Sequence, residues 1–180
     1  MDLFDAIEKR RSIRRFRPEP LAKEDLRRIL EAGRLAPSGG NRQPWYFIVV
    51  RDLETKKALS TVANNQKFIA DADTVIVALG DPGTKLKSPY KLSSTRIPYK
   101  QDPMIAIGHI ILAATALGYG TCWIGAFNED EVKRILKIPE NLAVIALLPV
   151  GIPDESPPPR PRKAFREIFF KEFYGIPLEL

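Results

Sequence analysis

The sequence predicts an α+β protein in three layers, α/β/α, with a mixed central sheet flanked by helices on both faces. Three observations lead there. Four short apolar runs, 45–50, 74–80, 121–125 and 141–151, have the length and composition of buried strands. Between them lie segments whose apolar residues recur every three or four positions, so strands alternate with helices along the chain. Finally, 180 residues with 44% hydrophobic and 28% charged content suffice for one compact domain, 1–180, with a real core. No internal repeat and no linker divides it.

In chain order, Asp2 is placed to cap a short helix whose Leu3, Phe4 and Ile7 share a face. It runs into "KRRSIRRFR" (9–17), after which Pro18 and Pro20 prevent a return to helix. A second helix is predicted over about 23–34, with Leu26, Ile29 and Leu30 inward. "APSGGNRQPW" (36–45) must be a loop, "WYFIVV" (45–50) a buried strand, 53–63 a helix and "TVIVALG" (74–80) another strand. A long polar loop over 81–101 follows, carrying Tyr90 and Tyr99. "MIAIGHIILAATALG" (104–118) is apolar nearly all round and is expected to be the central, fully buried helix. "TCWIG" (121–125) reads as a short strand, and Asn128 with Glu131 forms a capping box ahead of a small amphipathic helix. The last strand spans 141–151. "IPDESPPPRPRK" (152–163) is too rich in proline for helix or sheet, and a final helix is expected over about 164–174.

Several classes of chemistry are disfavoured. With one cysteine, Cys122, and one histidine, His109, neither an intramolecular disulfide nor a Cys/His metal cluster can form. His109 reads as a satisfied core histidine and Cys122 as an inert buried thiol. No G-x-G-x-x-G follows a strand, and "GDPGTK" (80–85) has the wrong spacing for a phosphate loop. The opening "MDLFDAIEKRR" does not read as a signal peptide, and no apolar run reaches membrane-spanning length. The expectation is a cytoplasmic protein that binds neither membrane nor nucleic acid.

The net charge of +6 is concentrated in residues 9–17, where six of nine positions are cationic. A helix end meets an extended segment there, so Arg10, Arg11, Ser12 and Arg14 can converge on one anion. In "APSGGNRQPW" two glycines permit close backbone approach, and Ser38 and Asn41 offer polar side chains to a planar ligand. Each stretch alone has a plain alternative. The first could be a solvated face or a nucleic-acid arm, the second an ordinary turn.

Together they are specific. "RRSIRRF", then "APSGGNRQPW", then "DPMIAIGHIILAATALGYGTCWIGAF" and a closing "PVGIPDESPPPRPRK" give a chain that resembles the FMN-dependent nitroreductase family over essentially its whole length. The resemblance implies a nitroreductase-like fold and a homodimer with FMN at its interface. Arg10, Arg11, Ser12 and Arg14 would surround the FMN, with Arg11 and Ser12 toward the phosphate and Arg10 and Arg14 toward the ribityl chain and pyrimidine edge. Pro37, Ser38, Gly39 and Asn41 would line the flavin from the partner subunit, and Asn65 would lie near the pyrimidine ring. Ile124, Gly125 and Ala126 match the segment whose backbone N–H groups, those of Gly125 and Ala126, meet flavin N5. Arg160 and Arg162 would close on the phosphate from the C-terminal side, and Lys9, Arg15 and Arg17 are left to solvent or acidic surface groups. The C-terminal segment, about 152–180, would reach across the partner.

By the same resemblance, NAD(P)H would donate electrons through FMN to a small planar acceptor: a nitroaromatic, a quinone or a flavin. Tyr90 and Tyr99 would border the acceptor pocket. No side chain need act as nucleophile or base; Arg14 would act electrostatically. Alternatives are reductive dehalogenation or flavin breakdown on the same fold, a non-catalytic flavin-binding protein, or a basic-arm nucleic-acid-binding protein.

Overall fold

The computed structural model describes residues 1–84 and 97–180. Tyr90 and most of the expected 81–101 loop lie outside the described residues. The elements are α1 (Leu3–Lys9), β1 (Phe16–Arg17), α2 (Lys23–Arg34), β2 (Trp45–Val50), α3 (Leu53–Val62), α4 (Phe68–Asp71), β3 (Thr74–Gly80), α5 (Pro98–Ala116), β4 (Gly120–Thr121), α6 (Glu129–Leu136) and β5 (Ala143–Pro153).

The sheet runs β1-β5-β3-β2, with β4 also paired to β5. Its ladders are antiparallel; the parallel component is a bridge between Ser12 and Thr121. Successive β3 side chains point to opposite faces, as the period of two requires. Val75, Val77 and Leu79 pack with Leu59, Ile69 and Val132 of α3, α4 and α6. Ile76 and Ala78 pack with Ile29 of α2 and Ile107 and Ile110 of α5. This yields the expected three layers. An irregularity between Ala78 and Leu79 shifts the register with β5, so that Val144 faces one layer while Ile145 and Ala146 both face the other.

The caps follow the sequence. Asp2 accepts from the Asp5 amide at 2.9 Å, Asp52 from Thr55 at 2.8 Å, and Asn128 from Glu131 at 3.1 Å. The Glu131 carboxylate turns instead to Arg134.

Five expectations fail, for related reasons. The expected final helix is only a 3₁₀ turn, Phe165–Glu167, followed by turns that include left-handed residues at Glu172 and Gly175. An amphipathic segment with no apolar surface of its own chain to cover gains too little to hold a helix. The long helix starts earlier than expected, at Pro98, and contains Pro103. Nor is it buried all round, because Met104 is 46% and Ile105 42% exposed. His109 lies on that same open face, where its Nδ1 sits 3.3 Å from the Ala32 carbonyl. It is no core histidine. The segment 121–125 forms only the two-residue β4 and a bridge from Ile124 to Leu147.

Tyr99 belongs to the first turn of α5 rather than to a loop. Its carbonyl lies against Gly80 so closely that a Cβ there would fall 1.9 Å from the oxygen, so only glycine lets α5 start at that height above β3.

Candidate active site

The two ends of the chain meet at one cleft. β1 pairs with the end of β5, Phe16 opposite Pro153 and Arg17 opposite Ile152. The Asp154 amide donates to the Arg15 carbonyl at 2.9 Å, and the Arg14 amide donates to Glu155 Oε1. Beyond these fastenings the proline-rich segment runs back along the N-terminal stretch. A cleft of about 600 Å³ results, lined by Glu8, Arg10, Arg11, Ser12 and Arg14 on one wall and by residues 157–160 and Arg162 on the other. Residues about 150 positions apart in sequence thus face each other, as the sequence implies for Arg11, Ser12, Arg160 and Arg162.

The cations divide into two sets. Lys9 pairs with Asp5 at 2.7 Å, Arg15 with Asp154 at 3.3 Å and Arg17 with Glu19 at 3.9 Å. Among the described residues no carboxylate lies within ion-pair reach of Arg10, Arg11, Arg14, Arg160 or Arg162. Their side-chain contacts are to carbonyls: Arg11 Nη1 donates to Glu8 and Arg10 oxygens at 2.6 and 2.8 Å, Arg14 reaches the Ser12 carbonyl at 3.5 Å, and Arg162 the Pro161 carbonyl at 3.4 Å. Five guanidinium groups, none of them ion-paired among the described residues, share one space with a single carboxylate, Glu8, and fit a phosphate-bearing ligand.

Below the cleft, Ser12 bridges Thr121 and the Ile13 amide donates to the Thr121 carbonyl at 2.9 Å. This brings Cys122 under Ser12 and Arg14. Burial pushes the Cys122 thiol up; Arg14 and the hydrogen bond with Ser12 oppose it without prevailing. The expectation of a buried, unreactive thiol agrees with this environment, although the cationic neighbours invisible in the local sequence are present.

Further along the same strand edge, Ile124 is buried and exchanges backbone hydrogen bonds with Leu147, while Gly125 and Ala126 are exposed. Among the described residues no protein acceptor meets the Gly125 or Ala126 amide. Asn64 and Asn65 both take left-handed conformations after α3, and Asn64 donates to the Ala126 carbonyl at 3.3 Å. Asn65 is therefore carried next to the 124–126 segment, although its neighbour makes the contact.

The 37–41 loop stands apart. Pro37, Ser38, Gly39 and Asn41 do not line the arginine cleft of their own chain. Gly40, Asn41 and Gln43 have φ of 62°, 53° and 50°, a succession of left-handed residues for which glycine at 40 removes the side-chain clash. Ser38 Oγ accepts from the Gln43 amide at 2.8 Å, and the Gly39 amide donates to buried Asp102 at 3.1 Å. Sequence reading missed Asp102, Arg42, Asp154 and Glu155. An acid heading an apolar helix demands a buried cation, and Arg42 stands in an otherwise apolar and turn-forming stretch, so the first pair had a signal. The two acids after β5 had only their charge opposite an excess of arginine.

A larger groove of about 760 Å³ runs between α2 and the edge strand β2, over Leu26, Leu30, Trp45 and Phe47. Its Arg34 and Arg51 are already paired, with Glu31 and Asp73. It gathers none of the predicted site residues.

The chain is thus a small three-layer α+β protein whose terminal segments close over an arginine-lined cleft with the chemistry to suit an anion. The chain belongs to the nitroreductase family, whose model matches residues 7–81 and 60–152. A relative from Archaeoglobus fulgidus that bears the name NADH dehydrogenase/NAD(P)H nitroreductase is 38% identical over 82% of this chain and 83% of its own. An FMN reductase [NAD(P)H] of Bacillus subtilis is 32% identical over 96% and 74%. The crystal structure of a nitroreductase family protein from Clostridium novyi NT superposes with a TM-score of 0.79 at 34% identity, covering 98% of this chain and 97% of that one.

Proposed function

We propose that this protein is an FMN-dependent oxidoreductase that takes electrons from NAD(P)H and gives them to a small planar acceptor, a nitroaromatic, a quinone or a flavin. The observation that carries the reading is the set of five arginines without carboxylate partners around one cleft, in a chain of this family. Arg11, Ser12, Arg160 and Arg162 hold the phosphate. Arg10 and Arg14 stand toward the ribityl chain and pyrimidine edge, and Asn65 with the Gly125 and Ala126 amides toward the ring. Bound FMN supplies the two-electron chemistry. Arg14 would offer fixed positive charge to stabilise negative charge on the reduced group. Cys122, buried and held protonated, and His109, outside the cleft, take no part in the chemistry.

The working unit is a homodimer with the Pro37, Ser38, Gly39 and Asn41 loop of one chain completing the cleft of the other. Two features favour it. Each chain alone leaves that loop away from its own arginine cleft. Each also leaves apolar side chains open on α1 (Leu3, Phe4, Ile7), on α5 (Met104, Ile105) and along the tail (Phe165, Ile168, Phe169, Phe173, Tyr174), more than a monomer of this size leaves uncovered. The segment 152–180 lies across the partner in this arrangement, and the 1–180 domain is active as the pair. Among the described residues no helix is long and apolar enough to cross a membrane, and a cytoplasmic location is part of the proposal. Tyr99, at the start of α5, borders the acceptor pocket.

Purified protein loaded with FMN is expected to be yellow and to bleach anaerobically with NADH or NADPH. Adding a nitroaromatic, a quinone or free flavin restores the colour; restoration by a halogenated phenol alone would point to the dehalogenation alternative. Light scattering should report twice 20.3 kDa. A protein that takes up no FMN overturns the function, and a flavin-loaded monomer overturns the assembly.

A further inference from the structure

We propose that Asp102 and Arg42 are positioning residues whose buried pairing sets the conformation of the 38–43 turn and thereby its ability to meet the flavin. The inference rests on the flavin reading above. Asp102, the fifth residue of α5, has a side chain 1% exposed, and the Arg42 side chain is 7% exposed. Between them they hold the two peptide units that flank Gly39, one through its N–H and the other through its C=O. The Gly39 amide donates to Asp102 Oδ2 at 3.1 Å, and Arg42 Nε donates to the Gly39 carbonyl at 2.9 Å. Arg42 Nη2 closes the loop to Asp102 Oδ2 at 3.7 Å.

That last distance is an ion pair without a hydrogen bond, and among the described residues Arg42 Nη2 has no hydrogen-bond partner at all. A buried pair of such geometry recovers little of its desolvation cost, so an apolar pair of similar volume would serve stability as well or better. What an apolar pair cannot do is fix the Gly39 peptide. With that peptide held, Gly40 and Asn41 are driven into consecutive left-handed conformations and stay exposed at the tip. Without it, the strained backbone has no reason to keep this shape. The pair spends stability to specify one turn.

The test compares wild type with Asp102→Asn, which keeps an acceptor for the Gly39 amide but strips Arg42 of its counter-charge, and with the apolar double variant Arg42→Met/Asp102→Leu. FMN dissociation constants come from flavin fluorescence, with melting temperature and Gly39 amide exchange measured alongside. In the double variant the melting temperature should stay near that of wild type while FMN binds about tenfold or more weakly and Gly39 loses its amide protection. Asp102→Asn should melt earlier, with a smaller loss of FMN affinity. Visible absorbance of the bound flavin should shift in both variants. Unchanged FMN affinity in a variant whose Gly39 amide has lost protection overturns the inference and leaves the flavin reading standing. If the double variant does not fold, Asp102→Asn with wild-type FMN affinity overturns it just as well. Wild type that takes up no FMN overturns both.

Discussion

The cleft between the chain ends and the turn at 38–43 both depend on arginine, yet they treat its charge differently. In the cleft, Arg10, Arg11, Arg14, Arg160 and Arg162 share one space with Glu8, and among the described residues none has a carboxylate within ion-pair reach. At the turn, Arg42 is buried and faced with Asp102. The cleft sets five cations against one carboxylate, so most of its charge is left for something that binds; the turn's is met from within. The first arrangement leaves repulsion for a ligand to relieve, so ligand and fold should be strongly linked. The second leaves no charge to spare and exerts its effect through geometry. Arg42 stands alone among uncharged neighbours while the cleft arginines come in "RR" and "RPR", yet that isolation does not say which carboxylate it meets.

The largest effect that could break this contrast is at the cleft. Arg11→Ala and Arg160→Ala each remove charge-assisted contacts to the phosphate, about 1.5–3 kcal/mol per contact, so FMN retention should fall by about tenfold or more. Riboflavin, lacking the phosphate, should bind wild type poorly and lose little further affinity in either variant. Titrations of both ligands against both variants give the answer: equal losses for FMN and riboflavin would mean that these arginines do not read a phosphate. Nucleic-acid affinity that collapses while FMN binding holds would restore the basic-arm reading.

A smaller change is expected from the fastening. Glu155 accepts from the Arg14 amide and sets where the proline-rich wall leaves β5. Glu155→Ala should weaken FMN binding by a few-fold, about 1 kcal/mol, through loss of cleft shape with every arginine intact. Asp154→Ala, which breaks an exposed pair with Arg15, should change FMN affinity and melting temperature by almost nothing. Equal effects of the two variants would mean that Glu155 is only another surface carboxylate.

The smallest effect lies beneath the cleft. Because burial raises the native Cys122 thiol above its ordinary value, the unfolded chain loses that proton first as pH rises. The unfolded state then binds fewer protons, so stability falls with pH from about 8.5 upward until the native thiol also ionises. Chemical denaturation of wild type and Cys122→Ala between pH 7 and 10 should show a slightly steeper alkaline loss in wild type. A thiol reagent should label Cys122 slowly in native protein and quickly after unfolding. Rapid native labelling would mean that Arg14 outweighs burial and that the cleft's field governs the groups below it.

The alternation of apolar runs and helical patterns already contained the three layers, because burying strands on both faces leaves few other arrangements for this chain. The caps at Asp2 and Asn128 and the strands Trp45–Val50 and Thr74–Gly80 needed only local chemistry, and there residues and outcome coincide, apart from Glu131, which turns to Arg134. Motif order carried the family. The misses share one cause, that burial is not a local property. The apolar helix 104–118 could not reveal that Met104, Ile105 and His109 face outward, and the phenylalanines of 164–174 could not reveal that no surface of their own chain awaits them.

By itself, then, the sequence determined the three long strands, the caps at Asp2 and Asn128, and which residues were suited to an anionic ligand. The resemblance already divided the cations between cleft and surface; only the tertiary structure decided that Lys9, Arg15 and Arg17 meet Asp5, Asp154 and Glu19. It alone brought Asp102 beneath Gly39, 63 residues away, and Glu155 to the Arg14 amide, 141 residues away. The reason is physical: propensity and capping act over a turn or two of chain, whereas desolvation and charge pairing depend on what the fold brings within a few ångströms.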